Sequence, residues 1–209
     1  MIDTEDKARA YVANLCDESA MERLERLVLA LVEENERQNL VARNSLATVW
    51  QRHIADSAQL LDHFDQSERP WLDLGSGAGF PGLVVAAMRP ELPVILVESR
   101  RRRIEWLEHC IALLGLRQCR VEGRRLELVD GFPAGVISAR AFAPLDRLLR
   151  LSARFSTSDT QWLLPKGRSA AQEVQGLAES RRAMFHVEHS LTDPEAGIVI
   201  GRGQWKGTA

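Results

Sequence analysis

A chain of 209 residues, 45% hydrophobic and 27% charged, suits one domain with a real core, and its longest apolar runs fall far short of the ~20 residues that cross a bilayer. The acidic start "MIDTEDKARA" lacks an apolar targeting stretch; three cysteines (Cys16, Cys110, Cys119) with no C-x-x-C pair argue against a disulfide framework or thiolate zinc and fit reduced thiols in a cytoplasm. Net charge is −2, yet residues 89–168 carry 15 Lys and Arg against 9 Asp and Glu, a basic middle suited to a polyanion or simply to solvated arginines.

In chain order, the first 65 residues read as helical on apolar spacing. The stretch Ser19 to Glu22 ("SAME") resembles a capping box, and Leu24, Leu27, Val28, Leu31 and Val32 follow on one face. After a loop around "RQNLVARN", a third helix carries Leu46, Val49, Trp50, His53, Ile54, Ser57, Leu60, Leu61 and Phe64 at spacings of three and four. Arg52 and Asp56 lie four apart on it, the spacing of a surface ion pair. His53 falls on the apolar stripe, where a histidine bonded within the core is the simpler reading.

From Pro70 the rhythm changes. "WLDL", "PVILVE", "CRVE", "GVISA", "TQWLLPK", "FHVEH" and "GIVIG" read as strands, with helical patterns over Gly82–Met88, Arg101–Leu114, 145–153 and 170–181 between them. This alternation predicts a doubly wound α/β fold: a mostly parallel sheet with helices on both faces. The all-apolar "PVILV" belongs in its centre. The predicted organisation is a helical N-terminal cap over 1–65 on a core over 66–209.

The segment "WLDLGSGAGFPG" opens the first strand-to-helix turn with glycines that let a ligand approach the backbone and the helix amides. Gly77, Gly79 and Gly82 match G-x-G-x-x-G, the dinucleotide fingerprint. Asp73, Gly75, Gly77 and Gly79 match D-x-G-x-G-x-G, which resembles motif I of class I S-adenosylmethionine-dependent methyltransferases. Placement favours the second pattern, because Gly75 is the glycine that closely follows the strand. Asp73 can then hold the cofactor's amino-acid end, directly or through the loop amides. Glu98 ends the second strand, where a carboxylate accepts ribose hydroxyls; a nicotinamide enzyme would use the same carboxylate. An NAD(P)-dependent oxidoreductase and a non-catalytic RNA-binding α/β domain are the alternatives.

"NLVA", "RHIADS", "LGSGAGFPG", "VESRRRRIEWL", "ISARAFAPL" and "LPKG", in that order, resemble the bacterial 16S rRNA guanine-N7 methyltransferases of the RsmG, or glucose-inhibited-division protein B, family. The resemblance spans residues 39–167 and implies a seven-stranded class I methyltransferase fold. It also implies S-adenosylmethionine as methyl donor and N7 of a guanine in the 530 loop of 16S rRNA as acceptor, on rRNA or a small-subunit particle. A monomer fits this size. By motif, Gly75 and Phe80 line the cofactor, Arg125 and Leu126 border its adenine, and Arg140 is a further cofactor-side residue. The tail departs from the family pattern: Ala196 and Gly197 precede the last strand where members often carry an arginine.

Guanine N7 has an unprotonated lone pair at neutral pH, so no general base is required and no catalytic residue is assigned. His186 and His189 lack a third ligand, so no metal site is read. The family motif also allows His53 a role where cap and core meet. Arg100, Arg101, Arg102 and Arg103 open a helix, where positive charge opposes the macrodipole. Arg101, Arg102 and Lys166 are therefore the candidate RNA-phosphate contacts, while Phe80, Phe142 and Trp106 are candidates for stacking.

Overall fold

The computed structural model describes residues 1–206. Helix α1 (Glu5–Leu15) begins on the Thr4 side chain, and α2 (Glu18–Asn35) on Asp17, whose carboxylate accepts from the Ala20 amide. Asp17, not the predicted "SAME" box, therefore starts α2; a carboxylate is the better acceptor at the positive end of a helix.

The predicted third helix is not regular. After α3 (Arg43–Leu46) come a π-helical turn (Trp50–Ala55), one α-turn, α4 (Asp56–Ala58), and a 3-10 turn (Gln59–His63). Trp50, His53, Ile54, Ala55, Ser57, Ala58, Gln59 and Leu60 are all buried. A 3.6-residue repeat presents one stripe, whereas this segment is enclosed by α1, by the helix over Gly82–Met88 and by the turn at residues 190–196. The wider turn brings three consecutive side chains inward. It also disrupts the i,i+4 alignment, and Arg52 pairs with Asp193 instead of Asp56.

The core follows as β1 (Trp71–Leu74), α5 (Gly82–Met88), β2 (Val94–Val97), α6 (Arg101–Leu114), β3 (Cys119–Glu122), β4 (Val136–Ser138), α7 (Leu145–Ser152), β5 (Gln161–Lys166), α8 (Ala170–Gln175), α9 (Glu179–Arg182), β6 (Phe185–His189) and β7 (Gly197–Arg202). The pattern over 170–181 splits in two because the chain turns at Gly176 to bury Leu177. The sheet has the order β3-β2-β1-β4-β5-β7-β6, with β7 antiparallel to both neighbours and the other pairs parallel.

Strand alternation divides the core into two layers. Trp71, Val94, Leu96, Val136, Leu163 and Ile198 pack with α1, α2, α5 and α6, whereas Leu72, Ile95, Ile137, Trp162 and Val199 pack with α7 and α8. Apolar side chains of the first 65 residues thus share a layer with one face of the sheet. Arginines strengthen this docking at helix C-termini, where carbonyls lack partners. Arg23 Nε donates to Ala87 O at 2.8 Å, Arg26 to Leu113 O, and Arg89 to Leu15 O. The chain leaves β1 toward β2 and β3, then returns to place β4 on the other side of β1. A crevice beyond the C-terminal ends of β1 and β4 is where such sheets hold ligands.

Candidate active site

The loop after β1 has Gly75 at φ +64°, Gly77 at φ +56° and Gly79 at φ +101°, backbone that residues with a Cβ rarely adopt. Open space stands where a Gly77 Cβ would be, the nearest atom being Gly75 O at 3.7 Å. At Gly75 the Phe142 ring closes the corresponding space. Glu98 sits beside the loop, 9% exposed, with Oε2 accepting from Gly77 N at 3.1 Å and Oε1 from Ser99 N and Arg100 N. Oε2 has acceptor capacity to spare for a ligand hydroxyl. Trp106 is buried beneath the loop, its Nε1 donating to Ala78 O at 3.0 Å.

Asp73 is fully buried and reaches no ligand space directly. Its Oδ1 accepts from Ser138 Oγ at 2.7 Å and its Oδ2 from Gly82 N at 3.3 Å, while Trp71 Nε1 donates to the same serine at 2.8 Å. Burial pushes its carboxyl above the usual range, opposed by the Ser138, Ser76 and Gly82 hydrogen bonds. Of the two roles expected for Asp73, the structure favours the indirect one: it fixes the start of α5 and ties β1 to β4.

Beyond the loop, the Phe80 ring stacks on His53, with centroids 5.0 Å apart and planes at 12°. The Arg140 guanidinium also lies over Phe80, 5.0 Å from its centroid. Arg140 NH2 is 3.2 Å from His53 Nδ1, and NH1 lies 3.4 Å from Asp56 Oδ2 and 3.3 Å from Arg52 O. The other ring nitrogen, Nε2, is 2.8 Å from Ser45 Oγ, which donates to Ala42 O. Arginine has no acceptor, so Nδ1 must accept and the ring proton sits on Nε2. One network therefore joins the cap to the glycine loop and to the segment after β4. In that segment Ala141 holds φ +53°, a strained value of the kind found at functional sites.

A cleft of about 1230 Å³ opens on the far side of Arg140, between the cap, residues 140–144, the end of β5 and the turn at 190–196. Lys166 lines it but is not a free cation. It is 10% exposed, donating to Glu173 at 2.9 Å and to Ala143 O at 2.8 Å, which corrects its placing among the phosphate contacts. Leu126 opens the turn after β3, next to Arg125. Its side chain packs in the second core layer beside an exposed Arg125. Arg101 and Arg102 are exposed at the start of α6; Arg101 pairs with Glu105.

The sequence profile described as "GidB: rRNA small subunit methyltransferase G" matches residues 20–195. The chain belongs to this family. The ribosomal RNA small subunit methyltransferase G of Erythrobacter litoralis is 65% identical over 206 residues, covering 99% of this chain and 100% of its own. Its namesake from Novosphingobium aromaticivorans is 55% identical, with coverages of 95% and 88%. Among solved structures, a putative O-methyltransferase from Klebsiella pneumoniae aligns with a TM-score of 0.56 at 16% identity, covering 85% of this chain and 90% of that one. A putative S-adenosyl-L-methionine-dependent methyltransferase from Methanococcus maripaludis gives 0.52 at 11%, covering 73% and 85%. With the strand order, these likenesses establish the class I methyltransferase fold.

In this member of the methyltransferase G family, sequence reasoning missed Ser138, Ser45 and the part of Asp56 in holding Arg140. Ser138 carried one available signal, a lone hydroxyl in a buried strand. The His53 environment also has a measurable consequence. Burial, with Arg140 and Arg52 nearby, lowers its pKa from 6.5 to about 3. The folded state resists a proton that the unfolded chain accepts, so stability is full above pH 6.5 and is lost as pH falls toward 3. The expected slope is about 1.4 kcal/mol per pH unit. Urea titrations at pH 7, 6 and 5 should show this loss in the wild type and a flatter profile in His53→Gln. Equal slopes would mean that His53 is protonated in the folded protein.

Proposed function

We propose that the protein transfers a methyl group from S-adenosylmethionine to N7 of a guanine in the 530 loop of 16S ribosomal RNA. The observation that carries this reading is the glycine loop flanked by Glu98 and opening, past Phe80 and Arg140, toward a cleft beyond β4. Family membership supports the same reading. S-Adenosylmethionine supplies a methyl group on a sulfonium, an electrophile that an unprotonated guanine N7 attacks without a general base.

The work left to the chain is positioning. Gly77 leaves room for the ligand against the backbone, Gly75 supplies the left-handed turn that brings the loop to it, and Glu98 accepts its ribose hydroxyls. Asp73 holds the loop in place through Gly82. The segment at Arg125 and Leu126 borders the adenine. Phe80, His53 and Arg140 form the wall between cofactor and substrate, and Arg101 and Arg102 meet RNA phosphates.

Calorimetry should give micromolar binding of S-adenosylmethionine and of its demethylated product, with none for NAD. Mass-spectrometric mapping of 16S rRNA from a strain lacking the protein should show one N7-methylguanine missing from the 530 loop, restored by the gene. Binding of NAD without S-adenosylmethionine would promote the oxidoreductase, and an unaltered 16S methylation pattern would remove the rRNA assignment.

A further inference from the structure

Each cation at the cleft beyond Arg140 has a carboxylate partner within the chain. Two pairs lie deep: Lys166 with Glu173, and Arg140 with Asp56. Two lie further out: Arg52 with Asp193 at 3.0 Å lines the mouth, and Arg168 with Glu195 flanks it, next in sequence to the lining residues Gly167, Ser169 and Ala196. The mouth arginines are 50% and 81% exposed, against 10% and 23% for the deep cations.

Both outer carboxylates come from one turn, residues 190–196 between β6 and β7. That turn is fastened to the cap: Leu191 N donates to Gln59 Oε1 at 2.8 Å, Thr192 Oγ1 to Asp56 Oδ1 at 2.9 Å, and Gln51 Nε2 to Thr192 O at 3.0 Å. The acidic tip is thus fixed at the mouth, whereas the two arginine side chains reach it through solvent. Carboxylate and phosphate offer a guanidinium the same pair of acceptor oxygens. Exposed pairs of this kind are weakly held and exchange partners readily.

We infer that Arg52 and Arg168 grip RNA phosphates at the cleft mouth, and that Asp193 and Glu195 occupy the phosphate positions in the free protein. The inference rests on the RNA methyltransferase reading above. A strand entering the cleft takes over both arginines, and the displaced carboxylates then lie beside phosphate. Affinity for any polyanion is thereby lowered, so that binding depends on the contacts only the correct RNA makes deeper in the cleft.

The test is filter binding of a 16S fragment containing the 530 loop, across a salt series, with methyl transfer to the same RNA measured in parallel. Arg168→Ala should weaken binding and reduce the slope of log affinity against log salt by about 0.7–0.9. Glu195→Gln and Asp193→Asn should each tighten binding about threefold or more at low salt. Most of the Glu195→Gln gain should vanish in the Arg168→Ala background. Glu33→Gln, which removes one of the two carboxylates paired with the exposed Arg37 just past the end of α2, should change nothing.

Unaltered binding by Arg168→Ala overturns the inference. So does an equal gain from Glu33→Gln, or full additivity of the Glu195 and Arg168 changes, since either reduces the effect to general charge. If wild type methylates the RNA while the mouth variants bind as wild type does, this inference alone falls. If wild type transfers no methyl group to small-subunit RNA, the functional reading falls with it.

Discussion

Gly77→Val is expected to abolish S-adenosylmethionine binding while unfolding stays cooperative. Two effects act together. Valine at φ +56° costs about 1–3 kcal/mol of backbone strain, and its branch projects into the open space beside the loop. Among the described residues, and beyond the two that flank it, only Gly75 O stands within 4 Å of the new Cβ, so that Cβ itself displaces no packed side chain. Gly75→Val is a different lesion. Its Cβ meets the Phe142 ring at 2.5 Å, which forces the segment after β4 to move and should lower stability further. Calorimetric titration beside thermal melts separates the two variants. A Gly77→Val protein that titrates cofactor normally would remove this loop from the site.

The parts of this molecule that could be read in its sequence are those set by short-range pattern. Seven strands and the glycine loop follow from apolar runs punctuated by turn residues, and Glu98 follows from its place at a strand end. The failures arise where several elements meet. The stripe from Leu46 to Phe64 has helical spacing, but burial on several sides imposes a π-turn that periodicity cannot encode. That turn in turn releases Arg52 to Asp193 and leaves Asp56 for Arg140, partners 141 and 84 residues apart. Lys166 reads as a candidate phosphate contact at a strand end, and only the folding of α8 against β7 brings Glu173 to it. His53 was ambiguous for the same reason: its stacking on Phe80 is a contact between the cap and the loop after β1.

Arg140→Ala should lower kcat/KM for methyl transfer about a hundredfold, the usual cost of a reacting group held ~1 Å out of place, with little loss of cooperative folding. The side chain is 23% exposed and bonds three groups at once: His53 Nδ1, Asp56 Oδ2 and the Arg52 carbonyl. Burial lowers its pKa, opposed by Asp56; a guanidinium is always charged at neutral pH, so it lies over Phe80 as a cation. Deletion leaves Asp56 with Thr192 and Gln59, which limits the loss of stability. It leaves His53 Nδ1 without its donor and frees the strained segment at Ala141, so the proposed wall between cofactor and substrate loses its shape. Arg140→Lys should not restore activity, because a single ammonium cannot span the three acceptors and also lie flat on Phe80. The loss should fall on kcat more than on cofactor affinity, since Glu98 and Gly77 are untouched. If Arg140→Ala keeps activity within threefold, or if its melting temperature falls in proportion to the lost activity, Arg140 is a structural residue and the wall is held by Phe80 and His53 alone.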